Sequence, residues 1–85
     1  MNLQQLRIMK ETVRRDFNLT DVASALFTSQ PGVSKHIKDL EDELGIDIFV
    51  RKGKRFLGLT DAGKELIDLA DRILVDVGNM RSIAD

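Results

Sequence analysis

The chain has 85 residues, 13 basic and 14 acidic side chains for a formal net charge of -1, a single Pro and no Cys. One small domain is the most that this length supports, with ~60% of the unfolded surface buried on folding. The composition excludes disulfides and thiolate metal sites, fits a cytoplasmic location, and offers no ~20-residue apolar run for a membrane. A net charge of -1 also argues, taken alone, against nucleic acid as a partner.

In chain order, Leu3, Leu6, Met9, Val13 and Phe17 recur at helical spacing, which predicts a first helix over about 3–15 with Asn2 as N-cap. Asp16-Phe17-Asn18 breaks it. Thr20 is expected to cap a short second helix that buries Val22, Ala23 and Leu26, with Phe27 covering the turn. Thr28 or Ser29 then caps a third helix with Pro31 in its first turn, where a missing N–H costs nothing. Val33, Ile37, Leu40, Glu41 and Leu44 keep its period, and Gly45 is the expected stop. A short helix, a tight turn and a longer helix make a helix-turn-helix pattern, here without the usual turn glycine.

Beyond Gly45 the period changes to two. Ile46, Ile48 and Val50 alternate with Asp47 and Phe49 as a strand, Lys52-Gly53-Lys54 turns, and Phe56–Leu59 returns. Thr60 caps a last helix through 61–84, which at 1.5 Å per residue spans ~36 Å. Leu66, Ala70, Ile73, Val77, Met80 and Ala84 are spaced 4, 3, 4, 3, 4 along it, the pattern of a two-helix seam. Mainly α, the predicted fold is a winged helix-turn-helix over 1–59 with a two-stranded β wing, followed by a long linker and dimerisation helix over 60–85.

Local charge reverses the meaning of the total. Residues 28–38 carry Lys35, His36 and Lys38 and no acid, while Arg51, Lys52, Lys54 and Arg55 crowd the wing. The acids concentrate in 39–47 and in the last helix. Glu41, Asp42 and Glu43 are expected to form a solvated helix face. One histidine and no cysteine leave no metal site, no nucleophile set and no phosphate loop. No catalytic residue, metal or cofactor is assigned.

The third helix offers a different chemistry. Gln30, Pro31, Ser34 and Lys35 share the face opposite Val33, Ile37 and Leu40, and such a helix end fits the major groove. Gln30 suits adenine, Pro31 a thymine methyl, and Lys35 guanine or phosphate. Thr28, Ser29 and Lys38 flank them. Arg51, Lys52, Lys54 and Arg55 are the phosphate or minor-groove candidates, with Arg51 at the strand end also open to a structural role. A protein-docking winged helix without DNA reading is the alternative, though docking requires neither a basic wing nor an acid-free helix start.

The run Ser29-Gln30-Pro31-Gly32-Val33-Ser34-Lys35, with Leu40-Glu41-Asp42-Glu43-Leu44-Gly45-Ile46, Phe49, Arg51, Thr60 and Ala62-Gly63, resembles the N-terminal domain of LysR-type transcriptional regulators. Within that family the chain is similar to the CysB/Cbl subgroup, regulators of sulfur assimilation and cysteine synthesis. The resemblance implies a dimer through paired antiparallel linker helices and an inverted-repeat operator. It further implies a tetrameric full-length protein, with a small-molecule inducer bound by an effector domain beyond Asp85. It places base contacts on Gln30, Pro31, Ser34 and Lys35 and wing contacts on Lys54 or Arg55. Lys35 stands where most members carry Arg, which replaces a bidentate fork by a point charge.

Overall fold

The computed structural model describes all residues, Met1–Asp85. It contains α1 (Leu3–Arg14), α2 (Leu19–Ala25), α3 (Gln30–Leu44), β1 (Phe49–Lys52), β2 (Arg55–Leu59) and α4 (Asp61–Ala84). Asn2 caps α1 as expected, its side chain accepting from the Gln5 amide while Gln5 returns the bond to the Asn2 N–H. The cap of α2 is Asn18 rather than Thr20. Its Oδ1 accepts from Asp21 N at 3.1 Å, so the helix begins two residues earlier than expected. Ser29 caps α3 and Gly45 ends it in the left-handed region at φ 68°.

The core gathers Leu6, Ile8 and Met9 of α1, Leu19, Val22 and Ala23 of α2, and Val33, Ile37 and Leu40 of α3. Ile48, Phe49 and Ala70 close it. α1 packs against α2, α3 and α4, so more than one of its faces is buried. Ile8 and Thr12 lie fully inside on account of this, and the Thr12 hydroxyl donates to the Ile8 carbonyl at 2.7 Å. Leu3, counted on the apolar stripe, is 37% exposed at the helix start.

Phe27 does not cover the turn between α2 and α3. It projects into solvent at 97% exposure with φ 54°, taking the left-handed position that a glycine fills more cheaply. The turn is held by Thr28 N donating to Ala23 O at 2.9 Å.

The strand segment also departs from strict alternation. β1 starts at Phe49, and Ile48 and Phe49 are buried in succession, while Ile46 and Val50 lie on the surface. The cause is Glu41, whose Oε2 accepts from Ile48 N at 2.7 Å and Phe49 N at 3.4 Å. Those two amides are thereby tied to α3 instead of entering a ladder. β1 and β2 pair antiparallel, with a shift between Val50 and Arg51 that leaves Leu57 without a partner residue.

Thr60 fastens α4 to the root of the wing. Its hydroxyl donates to the Asp47 and Ile48 carbonyls and accepts from Gly63 N at 3.0 Å. Gly63 lies so close to the Ile48 carbonyl oxygen that a Cβ there would collide with it.

Candidate nucleic-acid interface

The first turns of α3 and the tip of the wing face each other across a cleft of about 590 Å³. Gln30, Pro31, Ser34 and Lys38 line one wall, Arg51, Gly53 and Lys54 the other, with Leu19 and Phe56 between them. No acid lines this cleft, and of its three cations Lys54 has no acidic partner, while Lys38 and Arg51 are paired with Asp42 and Glu41 behind it. A second cleft of about 320 Å³ runs between the start of α2 and the wing, and there Gln30, Lys54 and Arg55 recur beside Asn18 and Thr20. Six of the expected DNA-binding residues, from two regions distant in sequence, thus line the first cleft, and Arg55 joins in the second.

The others sit around it. Ser29 is occupied as a cap, accepting from Gly32 N at 3.1 Å. Thr28 is half-buried in the turn. Lys35 is exposed beside the cleft and paired with Asp39 at 3.0 Å, while Lys38 reaches Asp42 at 3.6 Å. Both pairs are solvent-exposed i,i+4 bridges, worth ~0.3–0.5 kcal/mol, which a phosphate readily displaces. Lys52, Lys54 and Arg55 are exposed and have no ion-pair partner within 4.0 Å.

Arg51 serves a different purpose. Its Nη2 donates to Glu41 Oε1 at 2.5 Å and its guanidinium lies 4.7 Å from the Phe56 ring centroid. Phe56 stacks on Phe49 at 4.9 Å, and Phe17 meets Phe49 edge-on at 6.1 Å. The expectation that Glu41 belongs to a solvated acidic face is therefore corrected: its side chain is 5% exposed and accepts two amides and one guanidinium. This carboxylate fixes the wing against α3. The signal was present in the sequence, since Glu41 falls on the same period as Ile37, Leu40 and Leu44.

The seam expected on α4 is divided between two surfaces. Ala70 is 1% exposed within the core of its own chain, and Leu66 and Val77 are half-buried, so these three do not form a free stripe. The reason is that the helix must first cover α1 and the wing root before it can meet anything else. Ile73, Met80 and Ala84 remain outside. With Leu69 and Ile83 they form the exposed apolar stripe, at 3- and 4-residue steps interrupted at Asp76.

No group of three or more His, Asp or Glu side chains is placed to share a metal ion, and no helix is long and apolar enough to cross a membrane.

Comparison with known proteins gives the family. The model described as bacterial regulatory helix-turn-helix protein, lysR family, matches residues 3–64, from the start of α1 into α4. The chain belongs to the lysR family of bacterial regulatory helix-turn-helix proteins. It is 61% identical over 85 residues to the HTH-type transcriptional regulator cbl of Escherichia coli, covering 100% of this chain and 27% of that protein. It is 60% identical over 84 residues to the transcriptional regulator SsuR of Burkholderia cenocepacia, covering 99% of the chain and 27% of the relative. CysB of the same organism is 52% identical over 83 residues, 98% of this chain and 26% of CysB. The chain thus spans about a quarter of the length of these lysR-family relatives.

Solved structures agree. Full-length OxyR C199D from Pseudomonas aeruginosa has a TM-score of 0.91 at 31% identity, covering 99% of this chain and 28% of that one. BenM_DBD in complex with catB site 1 DNA has a TM-score of 0.89 at 33% identity, covering 99% of this chain and 88% of that one. The mainly α winged helix-turn-helix is thus the lysR-family fold.

Proposed function

We propose that this chain is the DNA-reading unit of a transcriptional regulator, binding double-stranded DNA sequence-specifically. The amino end of α3 enters the major groove and presents Gln30, Pro31, Ser34 and Lys35 to base edges. Lys54 and Arg55, with Lys52, hold the phosphate backbone or the adjacent minor groove. Lys38 and the cap region of Thr28 and Ser29 add backbone contacts. The observation that carries this reading is the acid-free cleft in which the exposed end of α3 faces a basic wing tip. Arg51 acts in it through Glu41 and Phe56, as the residue that holds the wing.

Membership of the lysR family and likeness to the solved BenM_DBD and CbnR_DBD complexes with DNA support the same reading. Residues 1–59 form the reading unit and 60–85 the linker helix, whose stripe of Leu69, Ile73, Met80 and Ile83 pairs with a second copy. A dimer built this way reads an inverted repeat, and the resemblance to LysR-type regulators implies a full-length tetramer with an inducer held by a further domain. The likeness to Cbl, SsuR and CysB supports target genes in sulfur assimilation and cysteine synthesis and a cytoplasmic location.

Selection of bound sites from random duplex DNA tests the proposal. The expected result is one enriched motif repeated in inverted orientation, with half-sites whole helical turns apart. Recovery of no motif would overturn it.

A further inference from the structure

The exposed face of α4 is apolar with one exception. At about 100° per residue, Leu69, Ile73, Asp76, Met80 and Ile83 fall within a sector of about 80°, with Asp76 near its middle. Asp76 is exposed, and no cation lies within 4.0 Å of its carboxylate. Arg72 stands on the flank of the same sector. It is exposed and equally without an acidic partner, although Asp68 and Asp76 each lie four residues away. A charge in the middle of an apolar stripe is costly once the stripe is covered, unless the covering surface supplies its counter-ion. A second copy of α4 brings both, the apolar cover and a free guanidinium beside it.

Charge then selects the arrangement. In a parallel pair every residue faces its own copy, so Glu65 and Asp76, both in this sector, would each meet a like charge. An antiparallel pair has two registers that cover the stripe. Centred on residue 76, it sets Leu69 against the partner's Ile83 and Ile73 against the partner's Met80, but the two Asp76 carboxylates meet on the axis. A slide of three residues, about 4.5 Å, sets Leu69 against the partner's Met80 and brings each Asp76 beside the partner's Arg72. Ile83 then meets the partner's Leu66. We infer that the two α4 helices pair antiparallel in this second register, with Asp76 of each copy bound to the partner's Arg72 on either side of the two-fold axis. Asp76 thereby fixes how far apart the two reading units stand, the register-setting role that one polar residue in a helix seam can play. The inference rests on the proposed dimer and concerns its register.

The chain has no cysteine, so introduced thiols report the register directly. Chains carrying Leu69→Cys are mixed with chains carrying Met80→Cys or Ile83→Cys and oxidised, and the cross-linked dimer is quantified on a non-reducing gel. A disulfide needs its Cβ atoms about 3.5–4.5 Å apart, so a slide of about 4.5 Å separates the two registers. Leu69→Cys is expected to link to Met80→Cys in preference to Ile83→Cys, and not to itself. Asp76→Arg sets two guanidinium groups against each other and should weaken the dimer about tenfold or more by sedimentation equilibrium, with helical content unchanged. Arg72→Asp in the same chain should restore the wild-type affinity. Preference for Ile83→Cys, self-linking of Leu69→Cys, an Asp76→Arg dimer as tight as the wild type, or no restoration by Arg72→Asp overturns the inference. A wild-type chain that stays monomeric at every concentration refutes the proposed dimer itself, and the two failures are thereby told apart.

Discussion

At the scale of single residues, Glu41 concentrates more structural consequence than any other polar group in the chain. Its carboxylate replaces water for two backbone amides and one guanidinium at the joint between α3 and the wing. Glu41→Ala leaves all three donors without their acceptor, and should cost ~2–4 kcal/mol in urea unfolding, given that Arg51 retains access to water. A loss below about 0.5 kcal/mol would show that the joint is held by the stacked Phe49 and Phe56 alone. Glu11 gives a second residue-scale prediction. Partial burial pushes its carboxyl up, but hydrogen bonds from Arg15 and Arg14, together with their charges, outweigh this and hold it below the ordinary glutamate range. A depressed carboxyl contributes stability that is fully present above the unfolded value, ~4.3, and is lost as the pH falls through the lower folded value. Glu11→Gln should therefore flatten the acid limb of the stability profile below about pH 4.3 and lower the plateau at neutral pH. An unchanged acid limb in denaturation at several pH values would contradict the assignment.

At the scale of elements, two helices show how far pattern carries. The cap at Asn2 and the stop at Gly45 follow from local chemistry and are found where the sequence puts them, and Ser29 is the one of the two candidates, Thr28 and Ser29, that caps α3. The cap at Asn18 was hidden because Asn18 and Thr20 are both good cap residues two positions apart, and only packing of Leu19 into the core decides between them. The polar face of α3 was legible because it is defined by the apolar one opposite. The apolar faces of α4 were legible only in part. Periodicity reveals that a helix has apolar faces, but Ala70 and Ile73 belong to different ones and only the tertiary structure assigns them. The distinction is testable. Ile73→Asp lies on the exposed stripe and should yield a folded monomer by sedimentation velocity, with α-helical content unchanged. A persisting dimer would remove the stripe from the interface. Gly63 tests the other face of the same helix. Gly63→Ala drives a methyl group into the Ile48 carbonyl, and the strain should lower stability by ~1–3 kcal/mol in thermal unfolding, where an exposed helical Gly→Ala would raise it.

At the scale of the whole molecule, the near-neutral total and the basic cleft belong to one arrangement. Acids line the outer side of α3 and α4, while Lys52, Lys54 and Arg55 at the wing tip have no acidic partner. Field strength follows local distribution, so a chain of net charge -1 presents a positive reading surface without attracting polyanions over its whole exterior. The core joins α1, α2, α3 and the wing root in one cluster behind the cleft. Its width is set by the Glu41–Arg51 pair and by Thr60 and Gly63 at the root of β1.

The central claim, that this surface binds DNA through the wing and reads it through α3, is tested most directly by the salt dependence of affinity. Fluorescence anisotropy on a selected duplex should give log K falling linearly with log salt at ~-3 to -4 per protomer, about -0.9 for each phosphate contacted. Lys54→Ala should weaken binding to selected and unrelated duplexes alike and reduce the slope by about one. Gln30→Ala should leave the slope unchanged while relaxing discrimination by ~1–3 kcal/mol. Affinity independent of salt, or a slope that Lys54→Ala does not alter, would contradict the account.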